Sequence, residues 1–179
     1  MFSITKKGKP LSPDKYIWDA KNKVLATSEN NLVLDFSEYI GVTFKTGWNC
    51  TFKTDSECTF DTDGICTFDT GGDCTFNTGS GCNFKTGGGC AFNTGSACTF
   101  DTGIDCTFDT GIDCTFRTGD DCTFKTGNDC TFNTYGVCTF KTGSNCVRLP
   151  LTKDDFIENL KSGWKHFKVT KDDLIDILI

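Results

Sequence analysis

The stretch from Cys98 to Gly119 reads CTFDTGIDCTFDTGIDCTFRTG, an eight-residue unit, Cys-Thr-Phe-x-Thr-Gly-x-x, copied head to tail. Self-similarity at a fixed short period marks a chain that stacks one supersecondary unit on the next, and it sets the architecture before any residue is read for chemistry. Followed outward in both directions, the unit runs from Val42 to Asn145 as thirteen octads without an insertion. Phe holds the third place and Thr the fifth in all thirteen, and Cys holds the first in twelve. Thr fills the second place except at Asn83 and Ala91, and Gly the sixth except at Asp55, Asp63 and Tyr135. The register begins before the cysteines do: Leu34 and Phe36 stand one period ahead of Val42 and Phe44.

In an extended strand alternate side chains share a face. Cys, Phe and the fifth-place Thr therefore point one way, and the second-place Thr and the variable fourth residue point the other. The predicted core is Cys58, Phe60, Cys66, Phe68, Cys74, Phe76, Cys82, Phe84, Cys90, Phe92, Cys98, Phe100, Cys106, Phe108, Cys114, Phe116, Cys122, Phe124, Cys130 and Phe132. The predicted surface rank is Thr59, Thr67, Thr75, Thr99, Thr107, Thr115, Thr123 and Thr131. The sixth-place Gly is expected to supply a positive φ, so that the last three residues of each octad turn the chain.

The number of sides per coil follows from volume. Three strands of five residues, each about 16 Å long, enclose more space than three Phe and three Cys fill at protein packing density. Two strands in sheets about 10 Å apart leave no void. The expectation is a mainly β chain: a right-handed, two-sided parallel β-solenoid with about 16 residues per coil. Fourteen octads from Leu34 then give seven coils and a rod about 34 Å long.

Solenoid ends differ from the middle, because an open last coil exposes apolar core and strand edge. Residues 1–33 do not repeat and are read as an N-terminal cap; Lys15–Trp18 and Val24–Thr27 around the polar Asp19–Lys23 make a β-hairpin. Residues 34–149 are the solenoid, which ends where Arg148 replaces Phe and Pro150 cannot donate to a ladder. Residues 150–179 are read as a helical cap, since Thr152 and Thr170 each precede acids and then apolar residues at helical spacing. The apolar end, Leu174–Ile179, is a place where self-association through this cap could occur.

The formal charge is −6, and it is unevenly spread: +3 over residues 1–33, −9 over 34–146 and zero over 147–179. An acidic repeat region argues against binding a phosphate backbone. No apolar run approaches the roughly 20 residues of a membrane-spanning helix. The opening MFSITKKGKP has no apolar h-region, so the expected setting is a reducing cytoplasm, where thiols stay free, or a virus particle.

The run CTFDTGGD, CTFNTGSG, CTFDTGID, CTFRTGDD, with Asn-Leu-Val-Leu-Asp-Phe-Ser at residues 31–37 ahead of it, resembles the Cys-Thr-Phe-x-Thr-Gly octapeptide-repeat proteins of phage and viral sequences. The resemblance covers about residues 30–147 and implies a parallel β-solenoid of structural or unknown role. It brings no catalytic residues.

Three chemistries weigh on the repeated residues. The cysteines form two columns, Cys50 to Cys146 and Cys58 to Cys138, at a spacing inside disulfide range. In-register parallel strands point their Cβ vectors the same way, however, and a linear ladder does not converge on a zinc ion. Buried thiols acting as small apolar filler is the reading kept. The outward threonines raise ice binding, but their outward partners are Lys, Asp, Asn or Arg rather than a second Thr rank. The turn acids Asp73, Asp105, Asp113, Asp120, Asp121 and Asp129 raise calcium, which wants six to eight oxygens at one site, whereas the same place elsewhere holds Ile65, Gly81 or Ala97. His166 lies beside Trp164 and Phe167, with no paired nucleophile or phosphate loop. The reading is a non-enzymatic structural or interaction rod, with no cofactor or metal and an unidentified protein partner. The alternatives are an ice-binding protein or an acidic regulatory binder that mimics DNA.

Overall fold

The computed structural model describes residues 2–134 and 137–149, with backbone alone at Leu149; the helices expected in 150–179 lie outside them. In chain order the strands are β1 (Ser3–Lys6), β2 (Lys9–Pro10), β3 (Ile17–Asp19), β4 (Val24–Ala26), β5 (Leu32–Phe36), β6 (Thr43–Thr46) and β7 (Thr51–Thr54). There follow β8 (Thr59–Thr62), β9 (Thr67–Asp69), β10 (Thr75–Thr78), β11 (Asn83–Lys85), β12 (Ala91–Thr94) and β13 (Thr99–Asp101). The last are β14 (Thr107–Thr110), β15 (Thr115–Thr118), β16 (Thr123–Lys125), β17 (Thr131–Thr134), β18 (Thr139–Lys141) and β19 (Val147–Leu149).

Successive repeat strands alternate between two sheets. The first sheet has the order β19-β17-β15-β13-β11-β9-β7-β5-β1-β2 and the second β18-β16-β14-β12-β10-β8-β6-β4-β3. Within each sheet the repeat strands pair parallel with a shift of sixteen residues, as in Phe84↔Phe100 and Phe76↔Phe92. The coil is therefore two-sided, as the volume argument requires. The parallel ladder also reaches further back than Leu34, because β4 lies parallel to β6 with Leu25 opposite Phe44. Eight parallel strands stand in each sheet, β5 to β19 and β4 to β18, giving eight coils rather than the expected seven.

The core is one column of rings and thiols per sheet, and every residue of the predicted core is buried. Rings one coil apart stack face to face at the strand spacing: Phe84 and Phe100 lie 4.8 Å apart at 3°. Rings on opposite sheets meet edge to face, as with Phe92 and Phe100 at 5.2 Å and 78°. Edge-to-face and offset pairs add about 0.5–1.5 kcal/mol beyond burial. The repetition of one ring in one environment is thus compatible with dense packing, because neighbours in the two directions satisfy different geometries.

The turns differ from the sequence expectation. Positive φ falls on the eighth place, not the sixth: Asn49, Glu57, Ile65, Asp73, Ala97, Asp105, Asp113, Asp121, Asp129 and Asn145 all lie at φ between 56° and 62°. The sixth-place Gly serves close approach. A Cβ at Gly95 would lie 2.9 Å from the backbone nitrogen of Ser80 in the coil below. That approach lets the turns stack with their own hydrogen bonds, Gly87 N–H to the Gly71 carbonyl at 3.1 Å and Asp73 N–H to the Gly88 carbonyl at 2.9 Å. The corner backbone is thereby paired rather than left to solvent.

At the amino end the expected hairpin forms as β3 antiparallel to β4, with Trp18 opposite Leu25. A second reversal, not read from the sequence, lays β1 antiparallel on β5 and folds β2 back onto β1 through the positive-φ pair Lys7-Gly8. These strands cover the first edge of both sheets. Phe2 stacks on Phe36 at 4.5 Å, and Trp18 and Tyr39 surround them, closing the ring column. At the other end Arg148 takes the ladder place opposite Phe132 and sets its guanidinium 5.2 Å from the centre of the Phe140 ring. A cation over the last ring ends the stack where the repeat ends.

Candidate interaction surface

Two kinds of side chain reach solvent from the strands. The second-place residues form one rank per sheet; Thr59, Thr67, Thr75, Thr99, Thr107, Thr115 and Thr123 are exposed and Thr131 is half-buried. The registers place them one above another, Thr99 beside Thr115 on the first sheet and Thr107 beside Thr123 on the second. The fifth-place threonines turn inward, and several donate to the next carbonyl, as Thr54 Oγ1 does to Asp55 at 3.1 Å.

The fourth-place residues form the second outward rank, and here the sheets part company. On the first sheet the order is Asp35, Lys53, Asp69, Lys85, Asp101, Arg117, Asn133, an unbroken alternation of sign over six strands. Lys85 pairs with Asp69 at 3.8 Å. Hydrogen bonds from Ser37, side chain first and then backbone, hold the Asp35 carboxyl below its ordinary value, so this end of the ladder stays charged. On the second sheet the order is Lys45, Asp61, Asn77, Asn93, Asp109, Lys125, Lys141. Lys125 meets Asp109 at 2.6 Å, and Asn77 donates to Asp61 at 3.2 Å. Each such exposed neighbour pair contributes a few tenths of a kcal/mol.

Twelve of the thirteen thiols are buried and Cys138 is half-buried, and the structure carries them as thiols rather than disulfides. Twelve of them face the corner, where each donates weakly to the carbonyl two residues earlier, as Cys98 does to Ser96 at 3.5 Å and Cys106 to Ile104 at 3.4 Å, while Cys138 donates to the Gly119 carbonyl at 3.6 Å. Hydrogen bonds with the thiols above and below, together with burial, push Cys66, Cys74, Cys106 and Cys114 well above the ordinary thiol value. Burial first, and then the neighbouring thiols Cys122 and Cys130, push up Cys138 and Cys146. Groups held protonated in this way are poor nucleophiles and poor metal ligands. Among the described residues no group of three or more His, Cys, Asp or Glu is placed to share a metal ion.

No family model, curated protein or solved structure matches this chain. Among the described residues, no helix is long and apolar enough to cross a membrane.

One surface feature was not read from the sequence. A groove of about 690 Å³ opens at the amino end of the second sheet, lined by Ile17, Lys45, Trp48, Asp61 and Asp63 among others. Trp48 is held there because its backbone N–H donates to Asn30 Oδ1 at 3.0 Å, leaving the side chain half-exposed. The signal in the sequence was the single Trp in a seventh place otherwise filled by small, polar or aliphatic residues.

Proposed function

We propose that this chain is a non-enzymatic rod whose outer faces and turns form a structural or interaction surface, in the setting of a viral structural or accessory protein. The observation that supports the reading is the division of labour within each octad. Inward places repeat Cys, Phe and Thr coil after coil and are buried or half-buried, while nearly all the variation lies at the fourth place and the turn, which reach solvent. A buried, uniform interior gives stiffness and length; a variable exterior is where recognition can differ from coil to coil. The viral setting rests on the resemblance of the CTFxTG run alone, and with it goes a place in the host cytoplasm or a virion.

Ice binding gains less support from the same display. Each face carries one Thr rank beside a rank of charges and amides, and the Thr ranks are interrupted at Asn83 and Ala91. DNA mimicry needs a continuous anionic stripe, and Lys or Arg stands in both fourth-place ranks. Partner capture at physiological salt tests the rod reading with three baits: the full chain, and two variants whose fourth-place charges are changed to Ser on one sheet at a time. Retention of a partner that one face variant loses supports it. Identical retention by all three, or none, contradicts it.

A further inference from the structure

The first sheet's fourth-place ladder is complementary to its own reverse. Read from the amino end the signs run minus, plus, minus, plus, minus, plus through Asp35, Lys53, Asp69, Lys85, Asp101 and Arg117. Reversed, they run plus, minus, plus, minus, plus, minus. A two-fold axis lying along the strands, midway between β9 and β11, brings two such faces together with the rods antiparallel. Asp35 then meets Arg117 of the second copy, Lys53 meets Asp101 and Asp69 meets Lys85, each pair occurring twice. All six contacts are between opposite charges.

The rest of the face fits the same operation. The second-place rank falls opposite itself, Thr67 against Asn83 and Thr51 against Thr99, with no charge in it. The neutral flanks coincide too, because Ser3, which pairs with Asp35 on β1, falls opposite Asn133. The second sheet behaves in the opposite way. Its signs are palindromic about the gap between β10 and β12, so the same operation sets Lys45 against Lys125 and Asp61 against Asp109.

We propose that the first sheet's outer face pairs antiparallel with the same face of a second copy of this chain. The contact is isologous, as closed dimers are. Eight strands at about 4.8 Å and about 13 Å of strand each give roughly 500 Å² per copy, or about 1,000 Å² in all, the low end for a specific interface. The pairing is therefore weak and reversible, with its register set by charge. Acids in the turns lie at the rim of this face, where physiological salt screens charges more than about 8 Å apart.

This inference rests on the rod being an interaction surface, and it names one partner for one face. Sedimentation of the full chain across a concentration series, at physiological salt, tests it with two variants. Lys85→Asp sets Asp against Asp69 of the second copy twice over, and dimerisation weakens by roughly 30-fold. Adding Asp69→Lys restores opposite charges across the axis and recovers most of that loss. Within one rod, both variants leave two like-charged neighbour contacts, so their melting temperatures agree and a merely intramolecular role for the ladder predicts equal behaviour. Equal dimerisation by the single and double variants, or a wild-type chain that stays monomeric throughout, overturns the pairing. The rod reading itself falls only if partner capture is also independent of face.

Discussion

The two outer faces of this rod are built on one interior. Both stand on the same columns of Phe and Cys, in the same parallel register, with a Thr rank beside the variable one. Yet the first face alternates in sign and the second is palindromic. Since the inward places carry no information that separates the faces, the difference teaches that a period of sixteen, twice the repeat, is the true unit of this surface. An eight-residue description of the chain averages the two faces together and hides the contrast.

The comparison can be broken most severely from the inside. Phe100 touches rings above, below and across, and Phe100→Ala is expected to cost about 3–5 kcal/mol in urea unfolding. Because the ring belongs to the shared core, the loss falls on both faces; hydrogen exchange confined to the first sheet would count against a common interior. Next comes Gly95→Ala, which drives a methyl against the turn of the coil below and is expected to cost about 1–3 kcal/mol, read in the same experiment.

Alkaline pH acts on both thiol columns. For Cys66, Cys74, Cys106 and Cys114 the folded value lies above the ordinary 9.0. The unfolded chain therefore releases its protons first. Their contribution is fully present below about pH 9 and is lost as pH rises toward the folded values, at about 1.4 kcal/mol per pH unit for each thiol held protonated. Denaturant midpoints flat from pH 9 to pH 11 would contradict the folded chain holding Cys66, Cys74, Cys106 and Cys114 protonated.

Smaller effects sharpen the contrast at the turn and on the surface. Ala97 holds a left-handed φ of 56°, and Ala97→Gly is expected to raise stability by about 0.4–1 kcal/mol, since Gly takes this conformation without steric cost. A loss there would mean that the methyl is worth more to the stacked turns than the strain it carries. Least of all, Lys125→Asp on the second face shifts stability by a few tenths of a kcal/mol and leaves self-association unchanged in sedimentation. The same exchange at Lys85 on the first face does not.

Much of this was legible in the octad itself. Alternation placed Cys58 through Phe132 inside and Thr59 through Thr131 outside, and the volume of a Phe-Cys core selected two sides over three. The turn was misread because Gly at the sixth place looks like a positive-φ signal, whereas Ile65 and Ala97, poor left-handed residues, hold that conformation at the eighth. The stacked coils impose it there, and Gly is required where backbone meets backbone. The β1–β2 reversal was missed because Ser3–Lys6 is short and carries a single buried apolar residue, Ile4; its strongest sign was Gly8 beside Lys7. The Trp48 groove lies between segments distant in sequence, so its only local mark is the single Trp in a seventh place. The alternation of sign on the first face was present in the residues, and its meaning needed the observed sixteen-residue register.

The most direct measurement is zero-length carbodiimide cross-linking of the wild-type chain with mapping of the joined peptides. Within one rod Lys53 and Asp101 lie three strands apart, about 14 Å, beyond the reach of a direct amide. Antiparallel pairing of the first faces sets them against each other in two copies. A Lys53–Asp101 cross-link in the dimer band is the predicted result. A dimer joined only through Lys125 or Lys141 of the second face would contradict the account, as would no dimer band at all.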